Sequence, residues 1–384
     1  MDEKTDQFDT VDPDESKDLE NESFDLKEPF DPKEIDIQVQ QTTMDNLIKR
    51  LKHNEIDLNP DFQRSPDLWK KKIQSRLIES LLIKLPIPAF YFDASDENKW
   101  QVVDGLQRLS TIQHFIIKNS LKLKDMEYLK EFEGETFEAL PRTLQRRIEE
   151  APVTLYLIKP GTPIEVKYSL FYRINTGGLT LNSQEVRHAL SQSVNNAQAS
   201  NFLKKLSDLE IFQKCVRVSD KRMLDKELIL RYISFKLNHF ESYKGPMIKN
   251  LNNTMEHLGN LHTSKLDWLE KGFKQAINLA WDIFGKNAFR KKKKAIDKSA
   301  KGGVINRALF EVIAVVFSNL SDKGVAEIKE SQNDFINKYS ELMNDKDFYD
   351  SISISTTYAK NVRLRFNEIM KIVNTYLPEK EHQR

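Results

Sequence analysis

The spacing of apolar residues along this chain changes once, near residue 160, and that change sets the kind of fold the chain can adopt. Before residue 160, short strand-like patterns alternate with helix-like ones; beyond it, apolar residues recur every three to four positions, as in amphipathic helices. We therefore predict an α+β fold class, with a small mixed sheet and helices over residues 35–190 and an all-helical domain over residues 191–384. The stretch near 190–200 is polar, as a linker or helix junction would be.

Individual elements can be placed from the same patterns. Strands are predicted where apolar residues alternate or form short runs, at 35–39, 89–92, 100–103 and 153–158. Helices are predicted to begin at Thr42 or Thr43 and at Ser65-Pro66, where capping residues precede a helical period, and again from Leu106. Helical spacing beyond residue 160 covers 165–175, a start at Asn182, and then 199–214, 222–239, 246–260, 264–285, 304–320, 323–343 and 358–376.

The charge of the chain is unevenly distributed. The formal net charge of the 384 residues is +1, yet residues 1–34 carry 14 Asp/Glu and 4 Lys, a net of −10. The remaining 350 residues carry 55 Lys/Arg and 44 Asp/Glu, a net of +11, which permits a polyanionic partner. We interpret residues 1–34 as a disordered acidic tail that aids solubility; the alternative is a mimic that covers a basic nucleic-acid surface on the same chain.

Several classes of protein are disfavoured by what the sequence contains. Cys215 is the single cysteine, so an internal disulfide framework and a CxxC-type zinc site are ruled out. The longest apolar run, near 312–317, is far shorter than a membrane helix requires, and the first residues are acidic where a signal peptide would be basic. The seven histidines form no metal-ligand pattern, and no P-loop or G-x-S-x-G motif occurs. We expect a soluble, cytoplasmic protein with no membrane partner.

The best local candidate for chemistry is the segment VVDGLQRLST at 102–111. A strand runs into a glycine turn that opens a helix, so unpaired amides at the helix start, together with Arg108, would form an anion or phosphate site. Gly105 would let the backbone approach a ligand closely, and Asp104 could hold a divalent metal or polarise a water. The alternative is structural: Asp104 caps the helix, and Arg108 pairs with a surface carboxylate.

Three further segments have both a functional and a structural interpretation. Asn59, Gln63 and Arg64 could contact a base edge or a phosphate, or could belong to a plain turn. The glycines that end the segment RINTGG at 173–178 could serve a site or simply a helix C-cap. Seven cations in twelve residues favour nucleic-acid binding or a solvated loop: Arg290, Lys291, Lys292, Lys293, Lys294, Lys298 and Lys301.

The order of these pieces is more specific than any one of them. The chain contains NPDFQR, then Trp69, then LIESLLIKLPIPAFYF, then WQVVDGLQRLSTIQHF and later FYRINTGGLTLNSQEVRHAL. Over about residues 35–190 this resembles the N-terminal domains of GmrSD-type modification-dependent restriction enzymes, which usually carry a DGQQR motif. More distantly it is similar to the ParB/sulfiredoxin-type nuclease fold. The resemblance implies a ParB/sulfiredoxin-like mixed sheet and a nucleoside triphosphate (NTP) site at the DGQQR position, with Mg²⁺ and an unknown base.

Residue roles follow from the resemblance, position by position. It implies catalytic roles for Asp104, Gln107 and Arg108, with Asp104 also the metal ligand. It implies nucleotide contacts from Gly105, Arg108, Ser110, Thr111, Asn59, Gln63, Arg64, Asn175, Gly177 and Gly178. Two positions depart from the family's usual pattern: Leu106 replaces the first glutamine, which would weaken turnover, and Lys84 replaces a glycine before the PIP strand, where it would add a phosphate contact or block the backbone approach.

Three functions are consistent with these features. The first is a nucleotide-binding and hydrolysing sensor module of a restriction or antiphage system, acting with a separate nuclease or methyltransferase because the last hundred residues show no HNH signature. The second is a ParB-like DNA nuclease that uses the same residues. The third is a non-catalytic DNA-binding adaptor in which Lys291, Lys292, Lys293 and Lys294 contact the phosphates.

Overall fold

The structure, a computed structural model, describes residues 35–58, 69–163, 166–168, 170, 174, 183–193, 197–216, 223–291 and 304–378. The chain divides into two compact units between residues 195 and 196. The predictions for the acidic tail at 1–34 fall outside the described residues. The assignment of 35–190 and 191–384 as separate domains stays a prediction.

The N-terminal unit contains a five-stranded mixed sheet. Its strands are β1 (Ile37–Thr43), β2 (Ile56–Asp57), β3 (Phe90–Asp93), β4 (Trp100–Asp104) and β5 (Pro152–Ile158). They lie in the order β1-β5-β3-β4-β2. The β1/β5 and β3/β4 pairs are antiparallel, whereas β3/β5 and β2/β4 are parallel. The sheet and the helices that accompany it confirm the predicted α+β class.

Helices cover one face of this sheet. They are α1 (Met44–Lys52), α2 (Lys71–Leu82), α3 (Leu106–Ile112, continued by a π-helical turn at Gln113–Ile117) and α4 (Arg142–Glu149). A further helix of this unit, α5, is Ser183–Ser193. The apolar stripe of α1 and the alternate strand residues Phe90, Phe92, Leu155 and Leu157 belong to one buried cluster. Because neighbouring residues of a strand point to opposite faces, Tyr91 and Tyr156 lie on the face away from this cluster.

The differences from the predicted elements have local causes. Strand β1 begins at Ile37, two positions later than its apolar alternation indicates, and ends at Thr43, four positions later, where it runs directly into α1. Two elements were not predicted: β2, because it is only two residues long, and α4, because it buries only Ile148 among polar side chains. Helix α2 begins at Lys71 rather than at Ser65-Pro66, a start that lies outside the described residues.

The conformation of Lys84 gives a physical reason for the glycine that the family usually has at this position. Lys84 follows the end of α2 with φ of +62°, in the left-handed region that favours glycine. The amide of Leu85 closes the helix end by donating to the Ser80 carbonyl at 2.8 Å. The side chain of Lys84 is exposed, so the left-handed backbone at the end of α2 does not require this side chain to be buried.

A buried carboxylate organises the loop that follows the π-helical turn. Glu79, which is 3% exposed, accepts hydrogen bonds from the amides of Glu127, Tyr128 and Leu129 at 2.7–3.1 Å. Burial alone would raise the pKa of Glu79, but the three amides and nearby Arg76 outweigh it and lower the pKa below its ordinary value. The carboxylate therefore stays ionised and holds three otherwise unpaired donors.

In the described residues of the C-terminal unit, every regular element is helical apart from an isolated bridge. Its helices are α6 (Ala197–Ser207), α7 (Glu210–Val216), α8 (Leu224–Leu237), α9 (Met247–Gly259), α10 (Thr263–Phe284), α11 (Arg307–Ser318), α12 (Asp322–Glu330), α13 (Gln332–Leu342), α14 (Lys346–Ser351) and α15 (Ala359–Asn374). Every residue of α11 is buried, and α8, α10 and α15 pack against it. Among the described residues, no helix has the length and apolarity needed to cross a membrane.

Two predicted helices are each divided in the structure. The segment 199–214 forms α6 and α7, separated at 208–209, and 323–343 forms α12 and α13, separated at Ser331. Periodicity does not detect a one- or two-residue break, because the apolar spacing resumes directly after it. The short helix α14 was also not predicted.

A network of charges lies inside the helical unit. Glu311, which is fully buried in α11, accepts from Nη1 of Arg231 at 2.9 Å and from Nη2 of Arg365. Nη1 of Arg365 also donates to the Thr356 carbonyl at 2.7 Å. Arg231 is shared with Glu227, whose carboxylate lies 3.1 Å from its Nε. Glu311 is thus the common anion between helices α8, α11 and α15.

Replacing Glu311 tests this network. The substitution Glu311→Gln should lower the free energy of unfolding by about 3–5 kcal/mol, because two buried guanidinium groups lose their shared counter-charge. Urea unfolding followed by circular dichroism measures the change. The matched control is Glu368→Gln, since Glu368 pairs with Lys371 at the surface and the pair is worth about 0–1 kcal/mol. Equal stability of the two variants would show that Glu311 does not hold the helices together.

Glu79 should make stability depend on pH in the acid range. Its folded pKa lies below the ordinary 4.5, so its stabilising effect is complete above about pH 4.5 and is lost as the pH falls through the folded pKa. Glu79→Gln should therefore be less stable than wild type near neutral pH by roughly 1.5–3 kcal/mol, and this difference should shrink on acidification. Urea unfolding at a series of pH values measures it. Glu131→Gln, at an exposed position, is the control, and a pH-independent difference would contradict the assignment.

Candidate functional site

The turn between β4 and α3 requires glycine at its centre. Gly105 has φ of +108° and ψ of 7°, and it occupies the N-cap position of α3. A Cβ atom at this position would collide with the ring of Phe90. Both the left-handed backbone and the close approach of Phe90 therefore account for Gly105, without any reference to a ligand.

Arg108 is the buried centre of this turn. Its side chain is 9% exposed, and Nη2 lies 2.7 Å from Oδ2 of Asp104. Nη2 also donates to the Ala89 carbonyl at 3.0 Å, and Nη1 donates to the Pro88 carbonyl. The guanidinium carbon lies 4.5 Å from the centre of the Phe90 ring. One side chain thus joins the end of β4 to the residues that precede β3.

These contacts differ from both parts of the structural alternative. Asp104 does not cap α3, because the N-cap residue is Gly105 and no side chain caps the helix. Arg108 pairs with Asp104 itself rather than with another surface carboxylate. Burial lowers the pKa of Arg108, while the attraction of Asp104 opposes that effect, and the group stays cationic. Among the described residues, three of its five N–H groups have acceptors, so two remain.

Gln107 connects the turn to the segment that precedes α2. Its side-chain oxygen Oε1 accepts from the amide of Trp69 at 3.3 Å. Trp69 comes directly after 59–68, the range that contains Asn59, Gln63 and Arg64 and lies outside the described residues. The bond therefore places Trp69 beside the turn. Gln107 is half-buried and the side chain of Asp104 is 34% exposed, so both reach the surface.

The remaining motif residues on α3 are buried. Ser110 and Thr111 are 1% and 0% exposed, and Thr111 donates to the Gln107 carbonyl of its own helix at 2.7 Å. Their predicted contact with a nucleotide stays a prediction and gains no support from this burial. Leu106, which replaces the family's first glutamine, is 5% exposed and belongs to the apolar cluster beneath the sheet. The leucine at this position of the motif thus contributes to the packing of the core.

The other predicted site residues are only partly described. Asn175, Gly177 and Gly178 lie outside the described residues, as do Lys292, Lys293 and Lys294. Lys291 is described, and its Nζ lies 5.6 Å from the ring centre of Tyr349. Within the described ranges no group of three or more His, Cys, Asp or Glu side chains could hold a metal ion. Asp104 is thus not part of a preformed cage there.

Arg290, the first cation of the basic run, has a structural role. It is 2% exposed and donates to the carbonyls of Cys215 and Val216, both at 3.3 Å, and of Ala288 at 2.8 Å. Cys215 and Val216 end helix α7, where a cation is favourable. Arg290 is therefore not available to DNA, and the predicted contact depends on the lysines that follow it.

One feature beside the turn was not predicted from the sequence. Tyr91 and Tyr156 stack with ring centres 4.6 Å apart and planes 8° apart, and both are half-buried. Burial, Tyr156 and the carboxylate of Asp104 raise the pKa of Tyr91, so its phenol is protonated at neutral pH. The repeated pattern Phe-Tyr-Phe at 90–92 and Leu-Tyr-Leu at 155–157 carries the signal, but the strand register is needed to bring the rings together.

Comparison with protein-family models gives a match over residues 44–192, to the family described as GmrSD restriction endonuclease, N-terminal domain. Comparisons with curated proteins and with solved structures give no match. The matched range runs from α1 into α5, contains strands β2 to β5 but not β1, and includes the turn at 104–108. Over residues 44–192, this chain is therefore similar to the N-terminal domains of GmrSD restriction endonucleases.

Proposed function

We propose that this domain binds a nucleoside triphosphate at the turn formed by residues 104–108, and that the chain is a nucleotide-dependent sensor of a restriction or antiphage system. The family match supports a restriction-related role. The observation that supports the proposal best is the bond between Gln107 and Trp69, because Trp69 follows the NPDFQR box closely in sequence. Two residues that are 38 positions apart in the chain thus meet at the DGLQR turn.

The turn offers the donors that a phosphate requires. The first intrahelical bond of α3 runs from the Leu109 amide to the Gly105 carbonyl at 2.9 Å, so the amides of Leu106 and Arg108 precede the helical ladder. The two N–H groups of Arg108 that remain would add charge-assisted bonds. The carboxylate of Asp104 reaches the surface, and Mg²⁺ is commonly held by one or two carboxylates together with the substrate's phosphates.

Hydrolysis requires more than binding, since a water molecule must also be oriented. The family's first motif glutamine is replaced by Leu106, which is committed to the core. Gln107 keeps the one side-chain amide of this motif, and its oxygen already accepts from Trp69. We propose slow hydrolysis, so that the bound nucleotide acts mainly as a signal to a separate nuclease or methyltransferase partner. DNA is the proposed second ligand, bound by Lys291 and the lysines that follow it.

The nucleotide site is tested with Arg108. Arg108→Ala should weaken triphosphate binding by about 1.5–3 kcal/mol, the range for hydrogen bonds to charged groups. It should also lower the melting temperature, because Asp104 and the Pro88 and Ala89 carbonyls lose their donor. Titration calorimetry with a panel of nucleoside triphosphates and Mg²⁺, at a temperature where circular dichroism shows the variant folded, measures the affinity.

Two further variants separate binding from folding. Gln107→Ala should weaken binding by about 0.5–1.5 kcal/mol with a smaller loss of stability, since it removes one neutral hydrogen-bonding side chain. Arg142→Ala is the control, because Arg142 is an exposed arginine of the same unit that pairs only with α4 residues in the described structure. Equal affinity in wild type, Arg108→Ala and Gln107→Ala would remove the site from 104–108. Metal-dependent plasmid cutting that is lost in Asp104→Asn would replace the sensor with a ParB-like nuclease.

DNA binding is tested through the basic run. Replacing Lys291–Lys294 with alanine should weaken duplex binding and flatten its salt dependence, with the slope falling by roughly 0.9 for each phosphate contact removed. Fluorescence anisotropy over a series of salt concentrations measures both quantities. Alanine at Lys204 and Lys205, two exposed lysines of α6, is the matched control. An unchanged slope would show that the run is a solvated loop and that any DNA surface lies elsewhere.

A further inference from the structure

The face of the sheet that points away from the buried cluster carries an aromatic pair at its centre. The strand order places β3 between β5 and β4, so Tyr91 has Tyr156 on one side and Asp104 on the other. The register is direct, because Tyr91 is the pairing partner of Tyr156 in β5 and of Asp104 in β4. The tyrosine pair is therefore continuous with the turn that we propose as the phosphate site.

On the β1 side of the tyrosine pair this face is exposed, whereas Asp93, two residues along β3 from Tyr91, is buried against Lys167. Val39, the β1 partner of Tyr156, is 59% exposed. Two residues before Tyr156 in β5, the hydroxyl of Thr154 donates to the side-chain oxygen of exposed Gln41 at 3.1 Å. The neighbours Phe90, Phe92, Leu155 and Leu157 already fill the core on the other face. Packing of the core accordingly does not require rings at Tyr91 and Tyr156.

We propose that Tyr91, supported from behind by Tyr156, stacks against the nucleobase of a nucleoside triphosphate whose phosphates lie at residues 105–108. This inference rests on the proposed nucleotide site and adds the base to it. Tyr156, on the neighbouring strand β5, covers one face of the Tyr91 ring. On its other side, β3 is paired with β4, which ends at Asp104 beside Gly105. The base would therefore lie next to the phosphates of the same nucleotide, on the neighbouring strand.

A nucleobase suits this surface better than an aliphatic or a purely anionic group. A planar aromatic ligand extends a stack of two parallel rings, and stacking tolerates any base because every base has a π-face. An anion alone would gain nothing from the rings. Stacking on the Tyr91–Tyr156 pair therefore predicts that several nucleoside triphosphates bind, with limited discrimination between bases.

The test compares ligands with and without a base on the full chain. Titration calorimetry in Mg²⁺ would use ATP, GTP and inorganic tripolyphosphate. Tyr91→Leu should weaken ATP and GTP binding roughly 5- to 150-fold, the range for loss of one base–aromatic stack, and leave tripolyphosphate binding unchanged. Tyr91→Phe keeps the ring and should bind as wild type does. Tyr156→Leu, which removes the support, should show a smaller loss of the same kind.

Controls make the outcomes distinct. Tyr128→Leu changes a tyrosine that is 68% exposed in another loop of the same unit, and it should bind all three ligands as wild type does. If wild type binds ATP no more tightly than tripolyphosphate, or if folded Tyr91→Leu and Tyr156→Leu bind ATP normally, the stacking inference is wrong while the nucleotide site stands. If Tyr91→Leu loses tripolyphosphate equally, Tyr91 acts only on the fold. If wild type binds neither ligand, the proposed function itself is wrong.

Discussion

The ionic contact between Arg108 and Asp104 is the constraint on which the rest of the site depends. A buried guanidinium is stabilised by a counter-charge and by hydrogen-bond acceptors, and here the acceptors come from the end of one strand and from the residues that precede another. The carboxylate ends β4, and the carbonyls of Pro88 and Ala89 directly precede β3. Electrostatics therefore sets the distance between these strand ends, and Gly105 must fit between Phe90 and the guanidinium. The positions of Tyr91 and Gln107 follow from that arrangement, since each adjoins the contact along its own strand or helix.

The helical unit solves a similar problem with the opposite charge at its centre. Glu311 lies in α11, which is buried along its whole length, and an unpaired carboxylate there would be very costly. Arg231 and Arg365 reach it from two other helices, and Arg365 also donates to a loop carbonyl. Apolar side chains can pack against one another in many relative positions of the helices. The contact of Glu311 with Arg231 and Arg365, by contrast, requires one specific alignment of the three helices. Buried polar contacts thus select the arrangement that apolar burial stabilises.

Much of the fold could be predicted because apolar spacing records which face of an element is buried. The strands near Phe90, Trp100 and Val153 and most helices were found in this way. The two-residue strand β2 and the break at Ser331 were not, since neither disturbs the spacing over a window long enough to detect. At the site, motif order located the turn, but not the partners of Arg108. Two of those partners are backbone carbonyls, which every residue has, so their selection depends on tertiary structure alone.

The same reasoning explains why one substitution in the motif changes what the turn can do while leaving its shape intact. The three residues that define the geometry are Asp104, Gly105 and Arg108, and all three are retained. Leu106 points into the core, where an apolar side chain is compatible with the turn and adds to the buried cluster. What is lost is a polar group that could orient water beside a bound phosphate. In the function that we propose, nucleotide binding would depend on the retained residues and hydrolysis on the replaced one, so the two activities would be separable.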